Sequence, residues 1–168
     1  MTRFLLLAGA CLALSVPPAI AQSIPANVAA AVSDNARPEL DQFRDGRRKP
    51  AETLAFAGVT EGMTIAELIP GNGYYTRILA RAVGPSGKVY TAPFGEPRAG
   101  LSTALSKDAA YTNIVLLTGA PGSVPVPAPV DMVWTSQNYH DVRQLAGPVN
   151  KAVFNALKPG GVYFIVDH

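Results

Sequence analysis

Apolar residues along this chain alternate between helical spacing and short, mostly apolar runs. Tyr75, Ile78, Leu79 and Ala82 recur at the spacing of one helix face. The run before them, Met63 to Ile69, predicts a strand, and Pro70 to Gly73 lies at the junction. Further upstream, Pro50 suits the first turn of a helix and Glu52 its positive end. That helix is expected over residues 51–58, presenting Leu54 and Phe56 and stopping near Gly58. Ser33-Asp34 is the expected cap of an earlier helix that includes Leu40 and Phe43.

The same alternation continues downstream. Gly84-Pro85-Ser86-Gly87 ends the helix after the glycine loop, and Lys88 to Ala92 starts a second strand. A helix over 100–110 leads to a third strand, Asn113 to Leu117. The Pro- and Gly-rich stretch TGAPGSVPVPAPV reads as a loop. Asp131 to Thr135 is a fourth strand, and a helix over 143–157 carries Leu145, Val149, Val153, Phe154 and Leu157. Lys158-Pro159-Gly160-Gly161 forms a tight exit into a fifth strand, Val162 to Val166. Strands alternating with helices imply parallel pairing with right-handed crossovers. On such an α/β sheet, ligands bind at the carboxyl ends of the strands, near the switch point.

Composition changes the picture at the N-terminus. Arg3, the apolar run Phe4 to Val16 and the small residues of Ala19-Ile20-Ala21 read as a secretory signal peptide over 1–21, cut after Ala21. Its apolar run is short for a membrane span. Residues 22–36 read as a flexible leader, and 37–168 as one domain. The expected location is periplasmic or secreted, without stable membrane insertion after cleavage. Cys11 is the only cysteine and goes with the signal peptide, which excludes a disulfide or thiolate metal site in the remainder. Cleavage also removes Arg3, so the net charge falls from +2 to +1. That balance gives no argument for a nucleic acid partner, and Arg47-Arg48-Lys49 reads as a local solvated cluster. Arg77 and Arg81, four apart, read as solvent-facing.

The stretch Glu67-Leu68-Ile69-Pro70-Gly71-Asn72-Gly73-Tyr74-Tyr75-Thr76 carries the candidate chemistry. Gly71 and Gly73 have no side chain to hold a ligand away, and the helix after them aims free N–H groups at the loop. Glu67, late in the strand, can accept hydrogen bonds from the loop or from an ammonium group. A tight turn without a ligand would use the same glycines. Of two ligand classes, a dinucleotide calls for a third small residue where Thr76 stands, and S-adenosylmethionine, lacking a pyrophosphate, has less need of it.

MTIAELIPGNGYYTRILARAVGPSGKVY resembles the first motif of the class I S-adenosylmethionine-dependent methyltransferases. DMVWTSQNYHDV and VFNALKPGGVYFIVDH resemble their fourth-strand motif and their fifth strand with its preceding turn. RKPAETLAFAGV is similar to a subgroup of predicted, often exported members. The resemblance implies a Rossmann-like three-layer sandwich, strand order 3-2-1-4-5, and methyl transfer from S-adenosylmethionine to an acceptor that no motif identifies, with a small-molecule substrate expected. It implies that Glu67, Pro70, Gly71, Gly73, Tyr75 and Asn138 bind the cofactor, and that His140 and Asp141 stand near the transferring methyl. His140 could then serve as a base, or be a polar residue of a surface loop, and Asp141 could simply cap the next helix.

The chain departs from the family pattern at several places. Ile69 occupies the position of a first glycine. About 20 residues beyond Gly71, where an acid meets the ribose, stands Thr91, and the nearest carboxylate is Glu96. The sequence stops after strand five at Asp167-His168, so the family's last strands are missing and strand five is expected at an edge open to self-association. A degenerate ligand- or protein-binding domain of this fold and a nicotinamide oxidoreductase are the alternative readings.

Overall fold

The computed structural model describes residues 23–94 and 99–168, without the side chain of Ala99. The expected signal peptide, 1–21, and Glu96 lie outside the described residues.

The described elements run α1 (Ala26–Val32), α2 (Glu39–Arg48), α3 (Pro50–Ala57), β1 (Thr64–Leu68), α4 (Tyr74–Val83), β2 (Lys88–Ala92), α5 (Ala99–Leu105), β3 (Ile114–Leu116), β4 (Val130–Ser136), α6 (Ala146–Ala156) and β5 (Leu157–Val166). A 3-10 turn spans Ala109–Tyr111 and another spans Tyr139–Leu145. The five strands form one parallel sheet in the order β3-β2-β1-β4-β5. This is the expected three-layer fold, with the chain reversing its direction of build between β1 and β4.

Period-two alternation distributes each strand between two cores. Ile65, Met132, Trp134 and Phe164 face a layer of α1, α3 and α4 with Val28, Leu54, Ile78 and Leu79. Ala66, Leu68 and Val133 face Val149 and Val153 of α6 and Val124 of the Pro-rich loop. Both faces are covered, so β1 is buried along nearly all its length.

Pro50 opens α3 and Gly58 closes it in the left-handed region, as the sequence indicates. Three local expectations change. The expected leader is not simply flexible over residues 23–36: α1 buries Val28 and Ala31 against α4, and Asn27 Nδ2 donates to the Ala82 carbonyl at 2.9 Å. Asp34 does not cap α2. Its carboxylate accepts from the Ala36 N–H in the turn between α1 and α2, and Pro38 precedes the helix. Leu40 and Phe43 are exposed, because α2 turns charged residues inward instead. In addition, Lys158 to Gly161 is less a tight exit than the bulged start of β5, with a register shift opposite Val130/Met132.

Candidate active site

The carboxyl ends of β1 and β4 meet over a polar cleft of ≈ 450 Å³. Glu67, Pro70 and Gly71 line it from β1 and its loop, Tyr74 and Tyr75 from the start of α4. Ser136, Gln137, Asn138 and Asp141 come from the end of β4, and Arg44 and Arg48 from α2. A separate, more apolar cavity of ≈ 220 Å³ lies at the ends of β2 and β3, among Ala92, Pro93, Phe94, Leu117 and Gly119.

The backbone around these cavities is strained. Ile69, Phe94 and Gln137 have φ of 50°, 53° and 60°, and they follow β1, β2 and β4. Non-glycine residues rarely adopt this region, least of all a β-branched one. Such conformations concentrate where ligands bind and persist only when the surroundings enforce them. At Ile69 a hydrogen bond from its N–H to the Ala92 carbonyl, 2.8 Å, helps to enforce it.

The two loop glycines have different physical reasons. A Cβ on Gly71 would meet nothing within 4 Å, so this backbone faces open space in the cleft wall. A Cβ on Gly73 would stand 2.3 Å from Leu105 Cδ1, so that glycine is required by packing. Both have positive φ, 56° and 76°.

Glu67 is buried, and its carboxylate accepts a hydrogen bond from Thr76 Oγ1. The residue that breaks the dinucleotide pattern therefore orients the cleft carboxylate. Asn138 Nδ2 donates to the carbonyls of Ile69, 2.9 Å, and Ser136, 2.6 Å, tying the end of β4 to the glycine loop. Arg77 is not the solvent-facing residue the helical spacing suggests. Its Nη1 donates to the carbonyls of Asn72 and Gly73 and stands 3.2 Å from the Asp41 carboxylate. Arg81 pairs with Asp34 at 2.6 Å.

Tyr75 borders the cleft, but the residue is only 4% exposed and its ring packs 5.1 Å from that of Trp134, which stacks on Phe164. Burial pushes its phenol above the ordinary value. Tyr74 donates its hydroxyl to Asp45 at 2.6 Å, and Asp45 also pairs with the buried Arg37 at 2.7 Å. Burial alone would raise the Asp45 carboxyl, but the Arg37 and Tyr74 hydrogen bonds outweigh it and leave it below its ordinary value.

His140 is not among the residues lining the cleft. Its Nδ1 lies 2.9 Å from Asp167 Oδ1, and its Nε2 lies 3.5 Å from Asp141 Oδ1. Asp141 itself lines the cleft. The structure thus brings Glu67, Pro70, Gly71, Tyr75, Asn138 and Asp141 to one cavity. Gly73 supports it, and His140 stands behind Asp141. Arg44, Arg48, Ser136 and Gln137 also line the cleft and are not among the sequence candidates. The one available signal was the i, i+4 spacing of the two arginines on one helix face.

No family model matches the chain. It is 33% identical over 112 residues to a demethylmenaquinone methyltransferase of Lactococcus lactis, covering 66% of this chain and 44% of that protein. It is 31% identical over 108 residues to a protein-L-isoaspartate O-methyltransferase of Methanosarcina mazei, covering 64% and 42%. These alignments span less than half of either relative. Among solved structures, an S-adenosylmethionine-dependent methyltransferase from Aquifex aeolicus superposes with a TM-score of 0.66 at 26% identity, over 77% of this chain and 69% of that one. The chain therefore has the Rossmann-like fold of the class I S-adenosylmethionine-dependent methyltransferases, and its curated relatives and structural neighbour are methyltransferases.

Proposed function

We propose that the chain transfers a methyl group from S-adenosylmethionine, with the methionine end of the cofactor in the polar cleft and the adenine in the apolar cavity. The observation that carries this reading is the strained loop from Ile69 to Gly73, which presents bare backbone at Gly71 to the cleft. No packing need explains a bare backbone at Gly71, and a close-approaching ligand accounts for it.

In this reading Pro70 and Gly71 present backbone to the ligand, and the first N–H groups of α4 face its carboxylate. Glu67, oriented by Thr76, accepts from the ammonium group. Asn138 holds the loop at its bonding distance from β4. Tyr75 closes the wall against Trp134 and keeps water out of that side. Glu96 is the carboxylate proposed for the ribose. The cofactor supplies an electrophilic methyl on a sulfonium. The chain's contribution is alignment of the acceptor with that methyl in a site of restricted water. In this reading Asp141, which lines the cleft, takes a proton from the acceptor, and His140 stands 3.5 Å from its carboxylate. The buried Thr76 at the third glycine position disfavours a nicotinamide dinucleotide.

Calorimetric titration of the full chain with S-adenosylmethionine tests this. The expected result is saturable binding that is abolished in Gly71→Arg, with no binding of NAD. A folded chain that binds no S-adenosylmethionine overturns it and leaves a non-catalytic domain of the same fold.

Two further parts of the reading concern the whole chain. Residues 1–21 direct export, so the protein works where the cofactor must be supplied to it, and recovery in the cytosolic fraction would refute that. The free edge of β5 pairs with a second copy.

A further inference from the structure

Behind the cleft lies an adjoining cavity of ≈ 460 Å³ that the cofactor reading does not use. Arg44, Arg47 and Arg48 line it with Thr53, Tyr75 and Gln137. Arg44, Arg48, Tyr75 and Gln137 line the cleft as well, so the two spaces share a wall. No carboxylate lines the second cavity.

The charges there are poorly matched within the protein. Arg44 has Asp41 at 3.5 Å, but Asp41 also serves Arg77 at 3.2 Å. Asp45, on the same helix, is taken by Arg37 and Tyr74. Among the described residues neither Arg47 nor Arg48 has a carboxylate within ion-pair distance. Arg48 instead lies 4.6 Å from the centre of the Tyr74 ring. Positions 44, 47 and 48 are neighbours on one helix face, where like charges repel. The carboxyl end of α2 offsets part of that repulsion, since cations are favoured there. It does not explain why three arginines line one cavity. Guanidinium groups are planar forks that match the oxygens of a carboxylate or a phosphate two at a time.

We propose that this arginine-walled cavity holds an anionic group, a carboxylate or phosphate, of the methyl acceptor, and so sets the substrate class. The proposal rests on the cofactor reading above. With its anion in the second cavity, an acceptor would extend past Tyr75 and Gln137 into the cleft, where Asp141 stands.

The test uses the full chain, with inorganic phosphate as the probe at constant ionic strength, read by calorimetry beside an S-adenosylmethionine titration. Phosphate is expected to bind saturably and to leave the S-adenosylmethionine affinity unchanged. Arg47→Gln is expected to weaken phosphate about tenfold and to leave S-adenosylmethionine binding unchanged, the loss of one charge-assisted hydrogen-bonding group. Arg47 is exposed and has no ion pair to lose, so this variant keeps the fold. Arg44→Gln should have the same effect on phosphate. Competition between phosphate and S-adenosylmethionine, with Arg47→Gln weakening both, would overturn the proposal and give the arginines to the cofactor's carboxylate. Absent phosphate binding, or binding unchanged in both variants, would overturn it as well. Arginine-dependent phosphate binding without S-adenosylmethionine binding would uphold the anion site and bring down the cofactor reading alone.

Discussion

Ile69 shows how one residue can satisfy a backbone need that its own chemistry opposes. The position calls for positive φ, as a glycine would supply, and a β-branched side chain occupies it at φ 50°. Its side chain repays part of that cost by packing against the core on the α6 side of the sheet. The two effects separate in a pair of variants. Ile69→Ala loses the packing and keeps the strain, whereas Ile69→Gly loses the packing and relieves the strain. Ile69→Gly should therefore be more stable than Ile69→Ala by about 1 kcal/mol, the reverse of the usual order. Urea unfolding of both variants reads this directly, and an alanine variant equal to or above the glycine one would show that the loop is unstrained. The glycine loop was legible in the sequence because Gly71 and Gly73 are permissive at any junction. The strain at Ile69, Phe94 and Gln137 was not, since nothing in their chemistry announces it. In the sequence Thr76 stands only where a glycine is absent, although its hydroxyl reaches back nine residues to Glu67.

At the scale of elements, α2 was the least legible. Leu40 and Phe43 suggested an apolar inner face, yet they are 62% and 77% exposed. The inward face carries Asp41, Arg44, Asp45 and Arg48, and it docks through ion pairs and the Tyr74 hydroxyl. Periodicity finds apolar stripes, and a helix held by paired charges has none to find. The strands and α4 were legible because they are apolar on the faces they bury. The pinning of α2 can be measured. Arg37 is buried and faces Asp45, so Asp45→Asn leaves a buried charge poorly matched and should cost about 2–3 kcal/mol. The acid limb follows from the same group. Asp45 has a folded pKa below its unfolded one, so its contribution is present above the ordinary aspartate range and is lost as pH falls through the folded value. Asp34 is lowered chiefly by the Ala36 N–H and then by Arg81. In Asp131 burial raises the pKa, and Lys158 and the Thr64 N–H more than reverse it. The protein should therefore keep its stability from neutral pH down to the aspartate range and lose it below. Asp45→Asn should start lower and lose less on acidification. Equal losses in the two proteins, measured by urea midpoints at neutral and acid pH, would remove Asp45 from the account.

At the scale of the whole molecule, one side of the sheet formed by the described residues stands out. Among the described residues β5 pairs with β4 on one edge and with nothing on the other. A free edge presents a row of unpaired backbone donors and acceptors, and soluble proteins usually guard it with charge or proline. Here Lys158 and Pro159 guard only the start of β5, and beyond them Val162 and Ile165 are 45% and 40% exposed without a charged residue between them. Phe56 on one covering helix and Phe154 on the other are 78% and 79% exposed. Phe56 meets Phe164 of β5 edge to face, so at least that ring belongs to the same border. An apolar fifth strand beside the fourth was legible, because the resemblance of the motifs implies the strands and their order. The two exposed phenylalanines were not, since Phe56 and Phe154 sit among apolar neighbours that are buried. Our proposal that a second copy covers this edge predicts a mass that rises with concentration in light scattering of the full chain. Ile165→Lys puts a charge on the free strand and should shift the protein to the monomer without loss of S-adenosylmethionine binding, because Ile165 lines neither the cleft nor the apolar cavity. A wild-type chain that stays monomeric at every concentration would refute the pairing, and an associating chain indifferent to Ile165→Lys would move the contact elsewhere.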